Sequence, residues 1–124
     1  LFRSVDTGRI RRVTDFPAWH PMVRRDGRSC VTDTKHPDRG LFVFDPSDGP
    51  KTPVTALAES LSSNAGDHWN TDHCPYDDGP VAVYAPQHTH PHPSFSPDGS
   101  RVVFTSDRTG CAQLYEVAVQ PAGA

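Results

Sequence analysis

A fifteen-residue stretch of this chain occurs twice, 72 positions apart. His20-Pro21-Met22-Val23-Arg24-Arg25-Asp26-Gly27-Arg28-Ser29-Cys30-Val31-Thr32-Asp33-Thr34 returns as His92-Pro93-Ser94-Phe95-Ser96-Pro97-Asp98-Gly99-Ser100-Arg101-Val102-Val103-Phe104-Thr105-Ser106, with His, Pro, Asp and Gly at the same relative places. Self-similarity of this kind marks repeat architectures, in which each unit buries its apolar face against a neighbour. Each copy begins as a short strand. Asp-Gly then makes a tight hairpin turn, where glycine takes positive φ at little cost. A second strand returns over Ser29 to Asp33, or Arg101 to Thr105. After another turn, which in the second copy is Asp107-Arg108-Thr109-Gly110, a third strand follows at Gly40 to Asp45, or Gln113 to Val117. Antiparallel strands at even spacing joined by tight turns make a propeller blade.

The expected fold class is therefore all-β, with about two four-stranded antiparallel blades of a β-propeller. One blade is expected over residues 14–60, a loop over 61–80 and a second blade over 81–120. Thr52 to Leu57 is read as an outer strand of the first blade, and Val81 to Tyr84 as an outer or additional strand. With 13 Pro, 9 Gly and only 35% hydrophobic residues the chain is rich in turns, and helix is not expected to dominate. Phe42, Val43, Phe95, Val103 and Leu114 are the expected blade-packing residues. Two blades cannot close a ring that takes four to eight, and the chain begins at Leu1. It reads as the C-terminal piece of a longer propeller, with the rest of that propeller as its neighbour.

Composition narrows the function. The net charge is −3 and the pI about 6.1, which argues against a nucleic-acid surface, since that needs a clustered basic face. The broken run Arg9, Arg11, Arg12, Arg24, Arg25 reads as solvated charge rather than an anion site. No apolar run is long enough for a membrane span, and no signal peptide is visible. Three cysteines, Cys30, Cys74 and Cys111, are odd in number and form no CxxC pair. Cys30 and Cys111 are expected to be buried small hydrophobes. A cytoplasmic location is expected, with the periplasm left open.

The chemistry lies just before the second repeat, in Gln87-His88-Thr89-His90-Pro91-His92. In an extended segment alternate side chains share a face, so His88, His90 and His92 would point one way. Imidazole nitrogens suit Zn, Cu, Fe or Ni, and a carboxamide oxygen suits Mn or Mg. His88 is expected outside the ligand set, adjacent to it or exposed. The bland alternative is a polar loop entering a strand. His68, Trp69 and His73 sit in the long loop, where an exposed loop is favoured over a sugar-binding role. His36 reads as an exposed turn residue. Asp26 and Asp98 are turn residues, and Asp33 and Asp107 are read as caps of turns or lining of the next groove.

Pro93 to Asp107 resembles the WD40-like repeat of TolB-type propellers, which is specific for fold and silent on function. Gln87-x-x-His90-x-His92 is more discriminating: it resembles the metal site of the oligogalacturonate lyases, seven-bladed propellers of pectate lyase family 22. The resemblance implies that one Gln and three His hold a divalent metal, described as Mn2+, with the third His from an earlier blade. His20, at the repeat position of His92, is the candidate, giving His20, Gln87, His90 and His92 as the metal ligands. It further implies β-elimination of oligogalacturonate, an acidic oligosaccharide, with the catalytic base and a charge-stabilising Arg upstream of this chain. The alternatives are a TolB-like propeller that serves as an interaction scaffold, and the propeller of a prolyl oligopeptidase-like hydrolase. The latter would need a hydrolase domain after Pro121-Ala122-Gly123-Ala124.

Overall fold

A computed structural model describes residues 1–34, 37–63 and 89–119. All regular structure among them is β. An N-terminal hairpin joins β1 (Phe2–Arg3) to β2 (Ile10–Arg11). A four-stranded antiparallel sheet follows in sequence order, β3 (Met22–Val23), β4 (Cys30–Thr32), β5 (Leu41–Phe44) and β6 (Thr55–Ala58). A second antiparallel sheet runs β7 (Ser94–Phe95), β8 (Arg101–Ser106), β9 (Gln113–Ala118), again in sequence order. The two sheets are propeller blades, each a meander with its first strand at one edge. The expected strand at Val81 to Tyr84 lies outside the described residues. The N-terminal hairpin was not expected.

The sequence repeat is a structural repeat through the first two strands and the turn between them. Met22 pairs with Val31 and Val23 with Cys30; 72 positions on, Ser94 pairs with Val103 and Phe95 with Val102. Arg24 N–H donates to Ser29 O at 2.7 Å, and Ser96 N–H to Arg101 O at 2.9 Å. Gly27 and Gly99 both stand at φ 73°, the left-handed conformation that only glycine takes without strain. Beyond β4 and β8 the register slips by one. Cys30 faces Phe44, whereas Val102 faces Val117, because the second copy has one more residue in its turn.

Alternation decides which side chains fill which core. On β4 and β5, Val31, Leu41 and Val43 point to the second sheet and join Phe95, Val102 and Phe104 in one cluster. Cys30 and Phe44 point the other way, to Val13 and Phe2. Phe42 is on that side too, 4.7 Å from the Phe16 ring. The first sheet is thus covered on both faces. β8 alternates buried Val102, Phe104 and Ser106 with half-buried Val103 and Thr105.

Two expectations about packing are corrected here. Leu114 is 75% exposed. It lies on the face of the second sheet that corresponds to the one the first sheet turns to its neighbour, and no described residue covers it. Cys111 is exposed, whereas Cys30 is buried as expected. Cys111 falls in the turn before β9 rather than in a strand.

A polar seam ties the sheets along one end. Ser62 Oγ donates to Thr105 O at 2.9 Å, and Ser106 Oγ to Leu61 O at 2.9 Å. Arg108 donates to Glu59 O and Ser60 O, each at 3.0 Å, while its guanidinium lies 4.6 Å from the Tyr115 ring centre. Asp107 is no groove-lining acid: it is buried and accepts from Ser63 N–H at 2.9 Å and from Ser63 Oγ. No described helix is long and apolar enough to cross a membrane.

Candidate metal centre

The same end of the two sheets, beside β3 and β7, gathers histidines. Just before β3, Trp19 N–H donates to Asp33 O at 3.1 Å, which fixes His20 at the lip of the first blade. In the second copy the bond is reversed, Thr105 N–H donating to Pro91 O at 2.8 Å, because proline has no N–H to give. The β3–β7 contact brings the two lips together, where Phe95 N–H points at Met22 Sδ, 3.3 Å away.

His20, His90 and His92 converge there. One ring nitrogen from each lies within 4.8 Å of the other two. The rings of His20 and His92 are stacked with centres 3.7 Å apart, and His90 stands 5.5 Å from His20 and 5.7 Å from His92. Two nitrogens held by one ion at about 2.1 Å are at most about 4.2 Å apart. A set within 4.8 Å is thus close to the span a single cation would impose. Trp19 covers one side, 4.1 Å from the His20 ring and 4.3 Å from His90.

The residues fit a metal by protonation as well as by distance. A ligand imidazole must be neutral and offer one unprotonated nitrogen. His20 Nδ1 lies 2.8 Å from Asp33 Oδ2 and 3.0 Å from Oδ1. A carboxylate only accepts, so the proton sits on Nδ1 and the Nε2 lone pair is left for a ligand. Desolvation lowers the His92 pKa and favours the neutral ring; His20 when protonated would lower it further, and Asp33 opposes.

His90 and His92 do not share a face of a strand. Residues 89–93 form no strand, and His92 has φ 43°. This is left-handed backbone in a residue whose following proline favours extended conformations. The bend at His92, not alternation, aims its ring at His20. Gln87 and His88 lie outside the described residues, as do His36, His68, Trp69 and His73.

Asp33 and Trp19 are the contributors that sequence reasoning missed. Asp33 is no groove lining: it is fully buried, and besides the ring it accepts His20 N–H at 2.9 Å and His92 N–H at 3.2 Å. The signal available was a departure from the repeat, since Thr105 stands where Asp33 stands. The turn acids behave as expected. Asp26 accepts Arg28 N–H at 2.9 Å, and Asp98 accepts Ser100 N–H at 3.0 Å. Ser96 and Ser100 hydroxyls lower the Asp98 pKa to about 2. The basic residues are dispersed: Arg12 pairs with Asp15 at 2.7 Å, Arg24 with Asp26, and Arg11 donates to Pro46 O at 2.7 Å.

No protein-family model and no curated protein matches the chain. Two solved structures do. An oligogalacturonate lyase in complex with manganese shares 29% identity, with a TM-score of 0.65 over 97% of this chain and 28% of its own. An oligogalacturonate lyase from Vibrio parahaemolyticus shares 27% identity, with a TM-score of 0.58 over 85% of this chain and 24% of its own. The chain thus spans about a quarter of the length of either. The likeness carried in the sequence by Gln87 to Asp107 extends through nearly the whole chain, and the proteins it resembles are the oligogalacturonate lyases.

Proposed function

We propose that this chain supplies the metal-binding part of an oligogalacturonate lyase, with His20, His90 and His92 as ligands and Gln87 as the fourth. The observation that carries the reading is the meeting of three imidazoles from two blades, their nitrogens within 4.8 Å, in a chain similar to a manganese-bound lyase. A divalent cation held there would act as a Lewis acid on a uronate carboxylate, stabilising the negative charge that grows as the C5 proton leaves and the 4-O bond breaks.

The chain's own part is to hold and orient. Three imidazoles and a carboxamide carry no charge of their own, so the ion's full charge would face the acidic substrate. Asp33, the carboxylate that meets the group among the described residues, is fully buried and turned to His20 Nδ1 and the His92 backbone. Trp19 walls one side of the His20 and His90 rings. The proton-abstracting base is assigned to no residue of this chain.

The test is release of unsaturated uronate from digalacturonate, followed by ultraviolet absorbance in the full-length protein, with manganese and then with chelator. Product that disappears with chelator is expected, and His90→Ala should abolish ion binding while leaving the protein folded. Metal-loaded, folded protein that makes no product would sink the lyase reading. Unchanged metal content in both His90→Ala and His92→Ala would sink the ligand assignment, and no product with no bound metal would favour an interaction propeller.

A further inference from the structure

We propose that Asp33 is a positioning residue for the metal centre, a single buried carboxylate that sets the tautomer of His20 and the backbone of His92 together. The inference rests on the metal reading above and goes beyond it, because Asp33 is outside the proposed ligand set.

Asp33 lies one residue past the end of β4, fully buried. A carboxylate out of water is tolerated only when its oxygens are well supplied with donors. Here the donors are the His20 N–H at 2.9 Å, His20 Nδ1–H at 2.8 Å, and the His92 N–H at 3.2 Å. They belong to two candidate ligands on two different blades. The first blade's carboxylate therefore holds its own histidine by ring and backbone, and the second blade's histidine by backbone alone. That last bond fixes His92 at φ 43°, the bend that aims its ring. Blade packing by itself does not need such a group. At the equivalent position Thr105 bridges to Pro91 by the reverse backbone bond, without a carboxylate. A carboxylate behind a metal-binding imidazole fixes the ring and raises its basicity, and removing such a partner weakens metal binding about 10- to 100-fold.

Asp33→Asn is the informative variant. It keeps the volume, but an amide holds only one acceptor oxygen. With that oxygen on the His20 N–H, the NH2 faces both Nδ1, which must then accept so that the His20 proton moves to Nε2, and the His92 N–H, whose bond is lost. With the oxygen turned to those two, the His20 N–H loses its acceptor. Mn(II) titration followed by electron paramagnetic resonance, in the full-length protein, should show a dissociation constant about 10- to 100-fold larger for Asp33→Asn. Metal-free melting is measured alongside. A lower melting temperature with a dissociation constant within twofold of the parent would make Asp33 merely structural and overturn the proposal. If the variant does not fold, 15N-histidine spectra of the unsubstituted metal-free protein decide, with His20→Gln used for assignment. A protonated Nδ1 on His20 supports the proposal, and a protonated Nε2 overturns it. Parent protein that binds no Mn(II) removes the metal reading itself, and Asp33's role with it; parent binding with an unaffected Asp33→Asn removes the Asp33 role alone.

Discussion

The two repeats share their scaffold and divide the site unequally. Strand pairing, the Asp-Gly turn and its φ of 73° are the same in both copies, and so is the histidine at the lip, His20 in one and His92 in the other. What differs is the surroundings of those two rings. The first copy has Trp19 and Asp33 where the second has Pro91 and Thr105, and the second has His90 where the first has Ala18. Each copy thus supplies what the other lacks: ring cover and a carboxylate from the first, an additional imidazole and a bent backbone from the second. Residues common to the repeats make the blades and the histidine at each lip, and those that break the repeat complete the centre between them.

The strongest way to break this division is through the shared core. Phe104 is 4% exposed and sits in the cluster that joins the sheets, between Val31 and Leu41 on one side and Val102 on its own. Phe104→Ala should cost about 3–5 kcal/mol, the range for deleting a buried aromatic ring, read as a shift of the denaturant midpoint in the full-length protein. His90→Ala should change stability by no more than about 1 kcal/mol, since it is half-buried and holds no strand. Comparable losses from the two would mean that scaffold and site are not separable.

The difference between the copies also marks how far the sequence could be read. Turns, strands and the paired histidines were legible because they are local: a glycine at a turn and a repeat at fixed spacing state their own geometry. The hairpin Phe2–Arg3 with Ile10–Arg11 was not, because two-residue strands carry no periodicity. Burial was legible where a sheet face meets a neighbour, as for Phe95. Val31 and Cys30 point opposite ways and both are buried, while Leu114 meets no described neighbour. Asp33 was illegible for a different reason. An aspartate at a strand end is ordinarily a turn acid, and only the fold shows that the neighbouring blade's His92 N–H arrives on it.

A smaller effect sharpens the comparison of the turns. Gly27 and Gly99 share their φ, but a methyl group on Gly27 would meet nothing within 4 Å, while one on Gly99 would lie 2.6 Å from Arg24 Cδ and 3.1 Å from Cγ. Arg24 is anchored to Asp26 through its Nε at 2.9 Å, so its stem cannot move off freely. Gly27→Ala should cost about 1 kcal/mol for the left-handed backbone alone, and Gly99→Ala about 2 kcal/mol with the steric term added. Equal costs would show that the second turn does not rest on the first blade.

The mildest prediction concerns a residue that differs between copies without changing the fold. Cys30 stands where Val102 stands, both fully buried. Desolvation raises the Cys30 thiol pKa to about 11, so at neutral pH almost none of it is the thiolate that reacts. Cys111 is exposed in its turn. Brief alkylation of native protein, mapped by peptide mass, should label Cys111 and leave Cys30 untouched until denaturant is added. The raised pKa also gives the sign with pH. Burial favours the protonated thiol, so the protection holds across neutral pH and the folded state loses stability only as the pH climbs past the ordinary thiol range toward 11. Cys30→Val should then be nearly silent in stability below pH 8. Rapid labelling of Cys30 in native protein would mean that the face between the first sheet and the N-terminal hairpin opens readily, and that the first blade is held more loosely on that side than on the side it shares with the second.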